Sequence, residues 1–129
     1  KIFNVIFNTF IAAIASITTF MLIKTFRIKR LPIMYISYVM IGSLVAISAC
    51  ANMVNSAHAL IIGSVSCLLV LSSINLLQLI RIDDSYNIVS SHLPCSIWGC
   101  LAVAFFGDID TNYYKVYMYI IIQYPCILL

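Results

Sequence analysis

The sequence predicts an all-α protein, an integral membrane bundle of about five spans, and three observations carry that prediction. Of its 129 residues, 64% are hydrophobic and 9% charged, with mean hydropathy +1.10, which leaves too little polar surface for a soluble domain of this size. The apolar residues fall into four full stretches and a shortened fifth, each near the roughly 20 residues that a helix needs to cross a bilayer. Lysine and arginine cluster in alternate connections, as they do in multi-pass proteins. One membrane domain, residues 1–129, accounts for the whole chain.

The first span is read from residue 2 to 23. Asn4, Asn8, Thr9, Ser16, Thr18 and Thr19 punctuate it, and such residues at a helix interface bond across to neighbours. Lys24, Arg27, Lys29 and Arg30 follow, and Pro32 closes the loop before a second span at residues 33–51. Asn8, Ser43 and Ser48 are expected to face neighbouring helices or a pore. The third span covers residues 57–80 and ends at Arg81, Asp83 and Asp84. Arg81 is expected to snorkel at the surface there, and Asp84 or Ser85 to cap the next helix. The fourth span covers residues 87–106. Gly107 to Asn112 form a short polar loop, and residues 113–129 begin a fifth span whose tyrosines suit an interface anchor.

Orientation follows from counting cations. Lys24, Arg27, Lys29, Arg30 and Arg81 share one side, while Lys1 and Lys115 lie opposite with Asp108 and Asp110. Short cytoplasmic loops carry the excess, so the chain starts outside, and the connections at 24–32 and 81–86 are cytoplasmic in a multi-pass protein of the cell membrane. The start at Lys1 and the end at Leu129 inside an apolar run look like the cut edges of a fragment, and no signal peptide is visible.

His92 is the residue that asks for a function. It lies eight residues after Asp84, about 12 Å along a helix and well inside a hydrocarbon core roughly 30 Å thick. An ionisable group at that depth usually faces a bundle interior or a watery path. Pro94 lacks an N–H, so the Ser90 carbonyl loses its helical partner and the helix should bend beside the imidazole. The hydroxyls of Ser90 and Ser91 are available to patch that break. The bland reading of His92 is a buried histidine bonded to a serine or a carbonyl. His58 reads as an interfacial polar residue at the outer end of its helix.

Other function classes lose support from the same spacings. Asp83 and Asp84 are adjacent, hence about 100° apart on a helix, and make a poor catalytic pair. No nucleophile and base recur at helical spacing near His92, so an enzyme is disfavoured. Cys50, Cys67, Cys95, Cys100 and Cys126 include no C-x-x-C pair and read as small buried hydrophobes, not as a metal site. A haem-holding electron carrier would need His58 and His92 at one iron, yet they belong near opposite faces. The charge of +3 is too scattered for nucleic acid, and no cofactor is called for. A purely structural bundle remains the residual alternative.

Five short motifs then point one way. Asn8-Thr9 followed by Ala12-Ala13 is similar to the N-T-x-x-A-A of the seventh helix of the ammonium transporter and Rhesus glycoprotein family. Leu44-Val45-Ala46-Ile47-Ser48 resembles L-V-A-I-T in the eighth, and Ala59-Leu60-Ile61-Ile62-Gly63 the A-L-I-I-G that opens the ninth. Ile82-Asp83-Asp84, then His92, then Ile97-Trp98-Gly99, resembles I-D-D, the H-G-x-G-G histidine and I-W-G of the tenth. The chain thus resembles the second half of such a subunit, from the seventh helix to the start of the eleventh. The orientation counted from lysine and arginine agrees with the family.

The resemblance implies ammonium or ammonia transport through a narrow apolar pore in each subunit of a homotrimer, where two histidines from symmetry-related halves touch. His92 matches the second histidine. A desolvated imidazole favours its neutral form and can both donate and accept. Ile88, one turn earlier, would line the pore beside it, and Ser48 stands at the family's threonine position. The partners implied are ammonium, the lipid bilayer, identical subunits, and an N-terminal half of the same subunit carrying the first histidine. Two departures are visible: Leu93, Pro94, Cys95 and Ser96 replace the glycine-rich run, and Asn87 replaces a carboxylate. They leave an ammonium-sensing, receptor-like relative, with or without a signalling domain, as the alternative.

Overall fold

The computed structural model describes residues 2–26 and 32–106, and over them the chain forms four helices: α1 Ile2–Phe26, α2 Tyr35–Ser48, α3 Ser56–Ile80 and α4 Ile88–Phe106. The architecture is the expected all-α bundle. α1, α3 and α4 are each long and apolar enough to cross a membrane. The expected fifth span at 113–129, the loop from Gly107 to Asn112, and Lys1, Arg27, Lys29 and Arg30 lie outside the described residues.

Within the stretch 33–51 only 14 residues form regular helix. Hydrogen-bonded turns flank them: Tyr35 N–H donates to the Pro32 carbonyl, and Cys50 and Ala51 N–H groups both donate to Ile47. Apolar composition therefore marked the buried stretch, and backbone bonding drew the helix more tightly. α3 stops at Arg81, which takes φ 61° while its N–H returns to Gln78 and that of Ile82 to Leu77. That pair of bonds closes a helix end in the left-handed manner usually given to glycine.

α2 and α3 form the centre, and α1 and α4 flank them without touching each other among the described residues. Neighbours in sequence run antiparallel, shown by Ser16 against Ser43 and Asn8 against Ala51. α1 and α3 are therefore parallel, as are α2 and α4, and Lys24 and Arg81 come to the same end of the bundle. Each parallel pair closes through a glycine. A Cβ built on Gly63 would lie 2.3 Å from the Ala12 carbonyl oxygen, and one on Gly99 would lie 2.5 Å from that of Ala46. Gly42 is similarly enclosed, with Val70 at 2.6 Å and the Cys95 sulfur at 2.9 Å. Glycines are few in this chain, but three of the four stand at helix crossings.

The buried stripes consist mostly of small residues: Asn8, Ala12, Ala15 and Ser16 on α1, and Ser91, Cys95, Gly99 and Ala102 on α4. In lipid, where an apolar surface gains little by leaving the solvent, close approach and interhelical hydrogen bonds replace the hydrophobic drive. Cys50, Cys67 and Cys95 are buried and free, whereas Cys100 is exposed.

Candidate functional site

The site is built from the loop that feeds α4. Asp84 holds the start of that helix: one carboxylate oxygen accepts the Ile88 N–H at 3.1 Å, and the other accepts the Ser90 N–H and the Ser90 hydroxyl, each at 3.1 Å. The first turn of a helix has N–H groups without intrahelical partners, and a carboxylate satisfies them with favourable charge. Asp84 is therefore the cap, and Ser85 instead donates to Asp83. Asn87 precedes the helix at φ 51°, a left-handed conformation that asparagine tolerates better than most residues.

Ile88, the first residue of that helix, and His92, one turn later, share an exposed face. Among the described residues the His92 ring bonds only through Nδ1, which lies 2.9 Å from the Ser91 hydroxyl and 3.1 Å from the Ile88 carbonyl oxygen. The other nitrogen, Nε2, is left for whatever occupies the open side. Ser96 and Cys100 continue the row at four-residue spacing and are also exposed. Cys100 is thus not the buried thiol that its apolar span predicts, because the i, i+4, i+8 spacing from His92 puts it, with Ser96, on the outward face.

The helix runs through Pro94 as one continuous element. The two serines before it do not serve the Ser90 carbonyl, contrary to the expectation from sequence. Ser90 turns its hydroxyl to Asp84, and Ser91 donates to Ile88 at 3.1 Å or reaches His92. Both serines find partners nearer the helix start, where the cap and the imidazole compete for them.

Ser48 is exposed at the end of α2 and donates to the Val45 carbonyl at 2.7 Å. The parallel register of α2 and α4 sets its level. Ala46 faces Gly99, seven residues and about 10 Å beyond His92, and Ser48 is further along. The structure thus brings Ile88 and His92 together and sets Ser48 apart from them along the bundle axis. His58 packs on Phe106 with ring centroids 4.9 Å apart, and its Nδ1 is buried without a partner among the described residues. Phe106 is fourteen residues beyond His92, about 21 Å along α4, so the two histidines are too distant to share one metal.

Asn8 and Ser43 face helix neighbours. Asn8 Nδ2 donates to the Ala51 carbonyl at 3.0 Å and the Val54 carbonyl at 2.7 Å, and Ser56 donates to Asn8 Oδ1 at 3.3 Å. Ser16 and Ser43 bond each other at 3.0 Å.

Comparison with known proteins matches the same elements. Residues 2–126 match the family described as Ammonium Transporter Family. A protein of Caenorhabditis elegans named "Putative ammonium transporter 3" is 34% identical over 102 residues, which are 79% of this chain. That match spans 15% of the relative's own length. The match to the family runs over nearly the whole chain, from the start of α1 past the end of α4, and on that ground the chain belongs to the ammonium transporter family.

Proposed function

We propose that this chain forms part of an ammonium transporter subunit, and that the exposed face of α4 bearing Ile88 and His92 lines the path of ammonium or ammonia. One observation carries the reading: His92 lies just over one turn into an apolar helix, on its exposed face, with Nδ1 engaged by its own helix and no partner for Nε2 among the described residues. An ionisable ring costs free energy at that depth, and a structural role would have turned it inward as Asn8 and Ser16 are turned. Here the ring stands on the side without a described partner.

An N-terminal half of the same subunit then covers this face and closes the pore, and subunits assemble as trimers. Charge sets the orientation, with Lys24 and Arg81 inside and α2 and α4 running outward. Ser48 belongs to the outer part of the same path, and Pro94 and Asp84 shape and hold the helix that presents His92. The decisive test replaces His92 by alanine in the complete subunit. Ammonium-dependent current should fall by on the order of ten-fold or more while trimers still assemble. Transport at the wild-type rate would remove His92 from the path, and loss of assembly would make it a structural residue.

A further inference from the structure

The exposed row on α4 does not stop at His92. Ser96 stands one turn further out, exposed between the exposed apolar side chains of Leu93 and Ile97. Its hydroxyl donates to the Leu93 carbonyl at 2.9 Å, so its proton is occupied within the helix and the open side meets the lone pairs of its oxygen. Among the described residues nothing donates to that oxygen.

Spacing sets what the two groups can share. Residues four apart on a helix carry Cβ atoms about 5–6 Å apart. One nitrogen that makes two hydrogen bonds of about 2.9 Å at a tetrahedral angle puts its partners about 5 Å apart. A single small amine is therefore the right size to bond both His92 and Ser96. Level along the bundle points the same way. Ser96 lies about 6 Å outward of His92, while Gly99, which faces Ala46, lies about 10 Å outward and Ser48 further still. Ser96 thus falls in the interval between the imidazole and Ser48, where the other exposed side chains of α4, Leu93 and Ile97, are apolar.

We propose that Ser96 is a solute-binding residue of the path, whose oxygen accepts an N–H of the same ammonium or ammonia molecule that His92 holds at Nε2, so that one solute bridges the two side chains. The proposal rests on the assignment of His92 to the transport path. Ser96 offers only an acceptor, and both forms of the solute carry N–H groups, so both can be held. A solute that leaves water gives up its hydrogen bonds, and an apolar wall returns none of them. A hydroxyl one turn past the imidazole returns one at the point where the solute moves outward. No covalent bond in the solute is made or broken.

The test compares the complete subunit with its Ser96→Ala variant, which should fold because the lost hydroxyl ties α4 to no other helix. Loss of one ordinary hydrogen bond should raise the half-saturating ammonium concentration about fivefold, with maximal flux and assembly kept. A structural role would instead lower maximal flux at an unchanged half-saturating concentration, and either that result or wild-type kinetics overturns the proposal. The double variant with His92→Ala separates one shared molecule from two independent sites. Groups that hold one solute together lose less in combination than the product of their separate losses. At sub-saturating ammonium, adding Ser96→Ala to His92→Ala should therefore lower the residual flux by less than about twofold, against about fivefold in the single variant. Losses that multiply overturn the bridge. Wild-type flux in His92→Ala alone is a separate failure, that of the path assignment, and it removes this proposal too.

Discussion

The two flanking helices use the same residue types in opposite ways. α1 sends its two buried polar side chains across to other elements, Asn8 to the carbonyls of Ala51 and Val54 and Ser16 to Ser43, while its threonines bond their own helix. α4 is as rich in small polar residues, yet Ser90, Ser91, His92 and Ser96 all bond to its own turn or to the loop before it. Among the described residues, its one polar contact across to another helix is the weak approach of the Cys95 thiol to the Ser66 carbonyl at 3.9 Å. Interhelical bonds in α1 spend polar groups on architecture, whereas α4 docks by close backbone approach and keeps an exposed face with an imidazole on it. A helix that must present groups to a passing solute is better fastened by shape than by the groups themselves.

What the two flanks share is the glycine crossing, and there the largest effects are expected. Gly63→Val would push its side chain into the backbone of Ala12, and Gly99→Val into that of Ala46. Backbone cannot swing aside as a side chain can, so each variant should cost about 3 kcal/mol or more and abolish assembly in detergent-solubilised protein. If one crossing tolerated valine with a wild-type melting temperature, the two flanks would not be docked alike.

The contrast itself is tested by pairing Asn8→Ala with Ser96→Ala. The first strands two buried carbonyls and should cost about 1–3 kcal/mol, read as a lowered melting midpoint. The second removes an exposed hydroxyl bonded within its own helix and should leave the midpoint nearly unchanged, since its loss frees no buried partner. Equal destabilisation would mean that polar groups on α4 carry architecture after all.

Much of this bundle was legible because a bilayer imposes length. Runs of apolar residues located α1, α3 and α4 closely, and the aspartate four residues ahead of Ile88 announced its cap. α2 is shorter as regular helix than the apolar span that contains it, because Ala49 to Ala51 are apolar while forming turns, and hydropathy does not separate a turn from a helix. Serine directions were not legible. Ser16 and Ser91 look alike in sequence, but one bonds a helix 27 positions away and the other its neighbouring imidazole. That choice depends on which face the completed packing turns inward. The glycines, scarce by count, mattered by position, which only the helix register reveals.

The smallest effect concerns how α4 is fastened at its end. If few side chains tie it along its length, the carboxylate of Asp84, with bonds to the Ile88 and Ser90 N–H groups, should hold a larger share of its stability than a cap usually does. Asp84→Ala should cost about 1 kcal/mol overall, near the ordinary worth of a cap. The local effect should be sharper: amide exchange at Ile88 to His92 should accelerate while α1 keeps its protection. Asp84→Asn is the finer variant. Its single side-chain oxygen can still accept from one N–H, but it gives up the second acceptor and the charge that favours a helix start, so it should recover part of the protection and not all. Hydrogen exchange read by mass spectrometry on peptides covering 84–96 decides the matter. Acceleration spread evenly over α1 and α4 would show that the cap supports the bundle as a whole, and unchanged exchange would show that α4 is held along its length by contacts stronger than its glycine crossing.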